Sequence, residues 1–148
     1  MGLDMYLTAK RYLWDGKDAE LINVIKAEGI PGMGDMTPKV ISCRAMYWRK
    51  ANAIHKWFVD NVQDGEDDCQ ECEVTQEQLA ELANLCRKVW TQRGETTELL
   101  PPTEGFFFGK ADIDDYYWEY VNETAEQIEK LLSTKGIDGW DFYYCSSW

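Results

Sequence analysis

Tyr47-Trp48-Arg49-Lys50-Ala51-Asn52-Ala53-Ile54-His55-Lys56-Trp57-Phe58-Val59 decides how the fold is read. At about 100° per residue, a helix over residues 47–62 gathers Tyr47, Ala51, Ile54, Phe58 and Val62 into one sector, the expected core face. Arg49, Ala53, Lys56 and Asp60 fall opposite, with Lys56 and Asp60 at the spacing of a surface charge pair. Trp48, Asn52, His55 and Val59 take one shoulder of this helix, and Lys50 and Trp57 take the other. A shoulder that joins indole, amide and imidazole can hold a half-buried ligand. It can equally be a boundary where each indole N–H finds a partner and His55 is a hydrogen-bonded histidine at the rim. The candidate ligand-binding set is Trp48, Asn52 and His55, with Arg49 or Lys56 reaching over the rim and Phe107 as a further stacking surface.

Working outward, Leu3, Met5 and Leu7 alternate with Asp4, Tyr6 and Thr8, the period of a half-buried strand that runs on towards Tyr12. Asp18 can cap a short helix carrying Leu21, Ile22 and Ile25, which Gly29 and Pro31 end. Residues 39–46 read as a second strand leading into the organising helix. Beyond an acidic turn over residues 63–68, Thr75 and Gln78 form a capping box for a helix striped with Leu79, Leu82, Ala83, Cys86, Val89 and Trp90. Gly105-Phe106-Phe107-Phe108-Gly109 reads as a short strand in preference to an aromatic loop. Asp112 is the expected cap of a last helix striped with Ile113, Tyr117, Tyr120, Val121, Thr124, Ile128 and Leu131. Residues 140–148 form a terminal strand. Strands near both ends predict one α+β domain over residues 1–148, a small, mostly antiparallel sheet packed with about four helices.

Composition limits the functions. A chain of 148 residues with 45% hydrophobic and 14% aromatic residues can bury a sizeable core, which excludes disorder throughout. The net charge of −12 disfavours general binding to nucleic acid or anionic membrane. The charge is uneven, since residues 1–60 hold nine Lys/Arg against seven Asp/Glu while residues 61–148 hold six against twenty. A cationic first half suits a small anionic ligand, and an acidic second half suits a basic protein partner. No apolar run of about 18 residues is present, and Met1-Gly2-Leu3-Asp4-Met5 lacks the features of a signal peptide, so the expected location is cytoplasmic.

Chemistry is thinly represented. Cys69 and Cys72 have the spacing of half a zinc site, but a second pair is missing, so they are weak metal candidates and no cofactor is expected. The acidic turn departs from a calcium loop because Gly65 directly follows its first Asp. The Gly32/Gly34 loop lacks the Lys-Ser/Thr ending of a phosphate-binding turn. A hydrolytic triad would have to use His55, the single histidine, and no nucleophile-elbow sequence surrounds any serine or cysteine. Binding is therefore expected in place of catalysis, and no catalytic residue is assigned.

Met1-Gly2-Leu3-Asp4-Met5-Tyr6-Leu7, the Tyr47–Val59 stretch, Gly105-Phe106-Phe107-Phe108-Gly109 and the terminal Ser146-Ser147-Trp148 together resemble a family of small uncharacterised bacteriophage and prophage proteins. The resemblance spans nearly the whole chain and brings no assigned activity. It implies a setting inside an infected or lysogenic host cell, where such accessory proteins sequester small molecules, including nucleotide signals of host defence, or bind host proteins. The leading expectation is thus a binder of a small anionic or nucleotide-like ligand, possible counter-defence included. The alternatives are an acidic interaction inhibitor or nucleic-acid mimic using residues 64–73 and 112–129, and a nucleotide-acting enzyme using His55. A homodimer joining the two helix shoulders is one arrangement the sequence allows.

Overall fold

A computed structural model of the chain describes residues 2–29, 36–94, 97–105, 108–109 and 111–148. The elements run β1 (Asp4–Tyr12), α1 (Ala19–Ala27), β2 (Val40–Arg49), α2 (Asn52–Asn61), β3 (Cys72–Val74), α3 (Gln76–Thr91), α4 (Asp115–Leu132) and β4 (Asp141–Ser147). The four strands form one antiparallel sheet in the order β2-β1-β4-β3. The first and last strands thus pair with each other at its centre, in an α+β domain.

Period-two alternation sorts the sheet into two faces. Leu3, Met5 and Leu7 are fully buried, together with Phe142 and Tyr144 from β4, Val74 from β3 and Met46 and Trp48 from β2. Three helices meet this face: Ile54 and Phe58 of α2, Leu79, Leu82 and Cys86 of α3, and Tyr117, Val121 and Ile128 of α4 share one core with it. Phe58 stacks on Tyr144 at 3.9 Å and 7°, which seats α2 on the central strand pair. Tyr6, Thr8, Lys10, Tyr143 and Cys145 alternate onto the other face and are only half buried. There Arg44 lies over the Tyr6 ring and Lys10 over the Tyr143 ring.

Local chemistry sets the helix boundaries. Thr75 accepts from the Gln78 N–H at 3.1 Å while Gln78 accepts from the Thr75 N–H at 2.9 Å, the reciprocal capping box. Gly29 adopts φ 69° just after α1, a left-handed position that glycine takes without steric cost. The N-cap of α4 is Asp114, not Asp112; its carboxylate accepts from the Tyr117 N–H at 3.0 Å.

The structure corrects the reading of the organising stretch. Residues 47–49 belong to β2, and the helix begins only at Asn52. The break comes at Lys50, whose φ of 55° is incompatible with strand or right-handed helix. Tyr47 therefore faces away from the core and is exposed, whereas Trp48 points inward. Of the expected strand over residues 105–109, Gly105 and Gly109 form an isolated antiparallel bridge and the Phe108 N–H bonds the Gly105 carbonyl, while Phe106 lies outside the described residues. Phe107 lies outside the described residues. No helix is long and apolar enough to cross a membrane among the described residues.

Candidate functional site

Trp48, Asn52 and His55 are 6%, 2% and 1% exposed, so the expected half-open shoulder is enclosed. Each polar atom among them has an internal partner. Trp48 Nε1 donates to Thr124 Oγ1 at 2.8 Å, joining β2 to α4. Asn52 opens α2 and holds the connector ahead of α4, since its amide donates to the Phe108 carbonyl at 3.3 Å and its oxygen accepts from the Thr103 N–H at 3.2 Å.

His55 spans from the sheet to the acidic turn. Its Nδ1 lies 2.7 Å from the Tyr144 hydroxyl and its Nε2 2.9 Å from Asp67 Oδ2. A carboxylate only accepts, so Nε2 carries a proton, and the Tyr144 hydroxyl suits Nδ1 in either role. Burial foremost, then the Asp67 charge, raises the Tyr144 pKa well above its ordinary value, so this phenol keeps its proton. Asp67 Oδ1 also accepts from Trp148 Nε1 at 3.0 Å, and Phe108 meets the imidazole edge-on. The chain's single histidine is thus a structural staple.

The other described candidates make no side-chain hydrogen bond to His55 or its partners, although Cys72 stands opposite Tyr144 in the sheet. Arg49 ends β2 exposed, its carbonyl accepting from the Tyr116 hydroxyl. Lys56 pairs with Asp60 at 2.6 Å on the solvated face of α2, as its spacing predicts. Cys69 is half buried with its sulfur 4.0 Å from Ser146 Oγ, and Cys72 lies in β3. Among the described residues no group of three or more His, Cys, Asp or Glu could hold a metal ion.

A cleft lined by aromatic and acidic side chains lies where α3 meets α4. Arg87 fixes the two helices with Nε at 3.1 Å and Nη2 at 2.7 Å from the Glu129 carboxylate, while Nη1 reaches Asn122 Oδ1 at 3.1 Å. This clamp lowers the Glu129 pKa. At the C-terminal end of α3, the Trp90 and Trp118 rings meet at 6.4 Å and 62°. The guanidinium of Arg93 lies over both, 3.8 Å from the Trp90 centroid and 4.8 Å from that of Trp118. Asp115, Glu119, Glu123 and Glu126 line the same cleft of about 550 Å³, and among the described residues none forms an ion pair. Two indole faces and carboxylates without ion pairs favour a cation, although Glu126 accepts from the Asn122 amide at 2.9 Å, and the slot already holds a guanidinium. The acidic surface expected over residues 112–129 is thus present on α4. Its tryptophans come from two helices, a pairing no local pattern reveals.

A second cleft, of about 460 Å³, opens at one end of the sheet between Trp14, Trp140, Arg11 and Lys17. Buried Asp18 accepts from the Trp14 N–H at 2.9 Å and holds Arg11 at 2.6 Å, so it positions this corner without capping α1 through its side chain. Asp138 and Asp141 also line this cleft.

No protein-family model matches the chain, and comparison with curated proteins and with solved structures finds no match either.

Proposed function

We propose that this protein acts by binding, without chemistry of its own, and that the α3–α4 cleft receives an arginine- or lysine-bearing segment of a protein partner. The observation that carries the reading is Arg93 across Trp90 and Trp118, an internal cation in a slot rimmed by carboxylates. A partner's arginine would take its place, keeping the stacking and gaining four carboxylates that form no ion pair among the described residues. The enclosed state of His55 supports binding over catalysis, because any histidine-dependent mechanism needs that ring to reach a substrate. In the setting implied by the phage resemblance, the partner is a basic surface of a host protein.

Fluorescence anisotropy with a labelled arginine-rich peptide tests this reading. Binding should weaken about tenfold in Trp118→Ala, and should fall with added salt because the acids are exposed. A glutamate-rich peptide of the same length should not bind. Equal binding of both peptides, or none of either, overturns the reading.

A second reading, capture of a small anionic or nucleotide-like ligand, rests on the cleft beside Trp14. Trp14 and Trp140 line it together with Lys17 and Arg11, whose guanidinium pairs with Asp18. A thermal-shift panel of mono-, di- and cyclic nucleotides tests it: a shift lost in Lys17→Ala supports this site, and a flat panel removes it.

A further inference from the structure

Strand β2 forms one edge of the sheet, and its ten residues contrast with the three of β3 at the other edge. Its inner side is laddered to β1. Two bonds set the phase of that ladder, Lys50 N–H to the Leu3 carbonyl at 2.7 Å and Leu13 N–H to the Lys39 carbonyl at 2.9 Å. Antiparallel pairs alternate between residues that exchange bonds and residues whose backbone groups face away. Counting inward from both anchors to the irregularity between Leu7 and Thr8, Val40, Ser42, Arg44, Tyr47 and Arg49 turn their N–H and C=O groups outward. All five are exposed. Among the described residues no backbone bond links this outer row to another segment, and only the Tyr116 hydroxyl, on the Arg49 carbonyl, closes its far end.

The charge on this edge is unlike that of the rest of the molecule. Residues 39–50 contain Lys39, Arg44, Arg49 and Lys50 and no acid, in a chain of net charge −12. Asp15 pairs with Lys39, and Asp4 stands opposite Arg49 with its carboxylate bonded to the Tyr47 hydroxyl. Arg44 and Arg49 form no ion pair among the described residues; Arg44 lies over the rings of Tyr6 and Tyr47.

We propose that the outer edge of β2 accepts an extended acidic segment of a protein partner as an added strand. Main-chain bonds to Val40, Ser42, Arg44 and Tyr47 would hold it, and carboxylates on alternate residues would meet Arg44 and Arg49. The extra residue at Ala45 increases the local twist, so the added strand follows a bent row. A second copy of the chain is the wrong occupant, because antiparallel β2–β2 pairing sets cations against cations. This surface is separate from the α3–α4 cleft and takes the opposite charge, so the two readings stand or fall separately.

The probe is a fluorescein-labelled decapeptide of alternating Thr and Glu, titrated with the full chain. It should bind, and Ser42→Pro should weaken it about tenfold or more, because that proline removes an outward N–H and no bond to β1. The variant should keep the wild-type circular dichroism spectrum. Should it fail to fold, peptides N-methylated on one or the other set of alternate amides make the same test: one phase should abolish binding and the other spare it. The proposal is overturned if the Thr-Glu peptide does not bind, if an alternating Thr-Lys peptide binds as well, if both methylated phases behave alike, or if sedimentation shows a dimer that Ser42→Pro dissociates.

Discussion

The His55 imidazole bonds the Tyr144 hydroxyl at 2.7 Å, tying the first turns of α2 to the centre of the sheet. Both residues are essentially inaccessible to water, and the other ring nitrogen anchors the acidic turn through Asp67. Removing the ring therefore leaves a cavity and an unpaired buried hydroxyl. His55→Ala should lose about 2–4 kcal/mol of unfolding free energy. Tyr144→Phe, which leaves only Nδ1 unpaired, should lose about 1–3 kcal/mol. Urea denaturation measures both, and a loss for His55→Ala below about 0.5 kcal/mol would show the staple to be dispensable.

Thiol reactivity should divide sharply by site. Cys86 is fully enclosed on α3, and burial pushes its pKa up to about 12, whereas Cys43 is exposed on β2. At pH 8 the thiolate fraction at Cys86 would be about one in ten thousand, before counting its lack of access. Brief alkylation followed by peptide mass spectrometry should label Cys43 in the native protein and Cys86 only after denaturation. Rapid native labelling of Cys86 would mean that α3 opens readily.

The corner beside Trp14 should respond to acid through Asp18. Its bond from the Trp14 N–H holds the carboxyl below its ordinary value of 3.8, and the Arg11 guanidinium adds to this. As pH falls the unfolded chain takes up this proton first, so the Asp18 contribution is complete above the ordinary value and is lost as pH falls through the lower folded one. Melting temperatures from about pH 6 to about pH 2 should therefore decline more steeply in the wild type than in Asp18→Asn. Parallel declines would contradict the assignment.

Much of this fold is legible in residue patterns. The alternation of Leu3, Met5 and Leu7, the Thr75/Gln78 box, the α3 stripe and the α4 stripe from Tyr117 onward each report local geometry that the packed structure preserves, whereas Ile113 lies ahead of α4 and is exposed. Residues 47–51 mislead because Tyr47, Ala51, Ile54 and Phe58 fit a helical face, while Met46 and Trp48 fit the inward face of a strand. Register against β1 resolves the ambiguity, placing Trp48 opposite Met5. The aromatic preference for strands at Tyr47 and Trp48 was the available signal. Strand β3 is too short, at three residues, to show a period. The polar character of Asn52 and His55 was visible, but a buried hydrogen-bonded group and an open binding group share one sequence signature. Trp90 and Trp118 belong to different helices, so their meeting over Arg93 is a tertiary fact.

Arg93 also offers the most direct test of the central claim, that the α3–α4 cleft is a cation slot filled by the chain's own guanidinium. If so, Arg93→Ala removes a competitor, and an arginine-rich peptide should bind several-fold more tightly to that variant than to the wild type, a gain of about 0.5–1 kcal/mol. Trp90→Ala in the same background should abolish the gain. Isothermal titration of the variants measures both, and weaker or unchanged binding in Arg93→Ala would contradict the account.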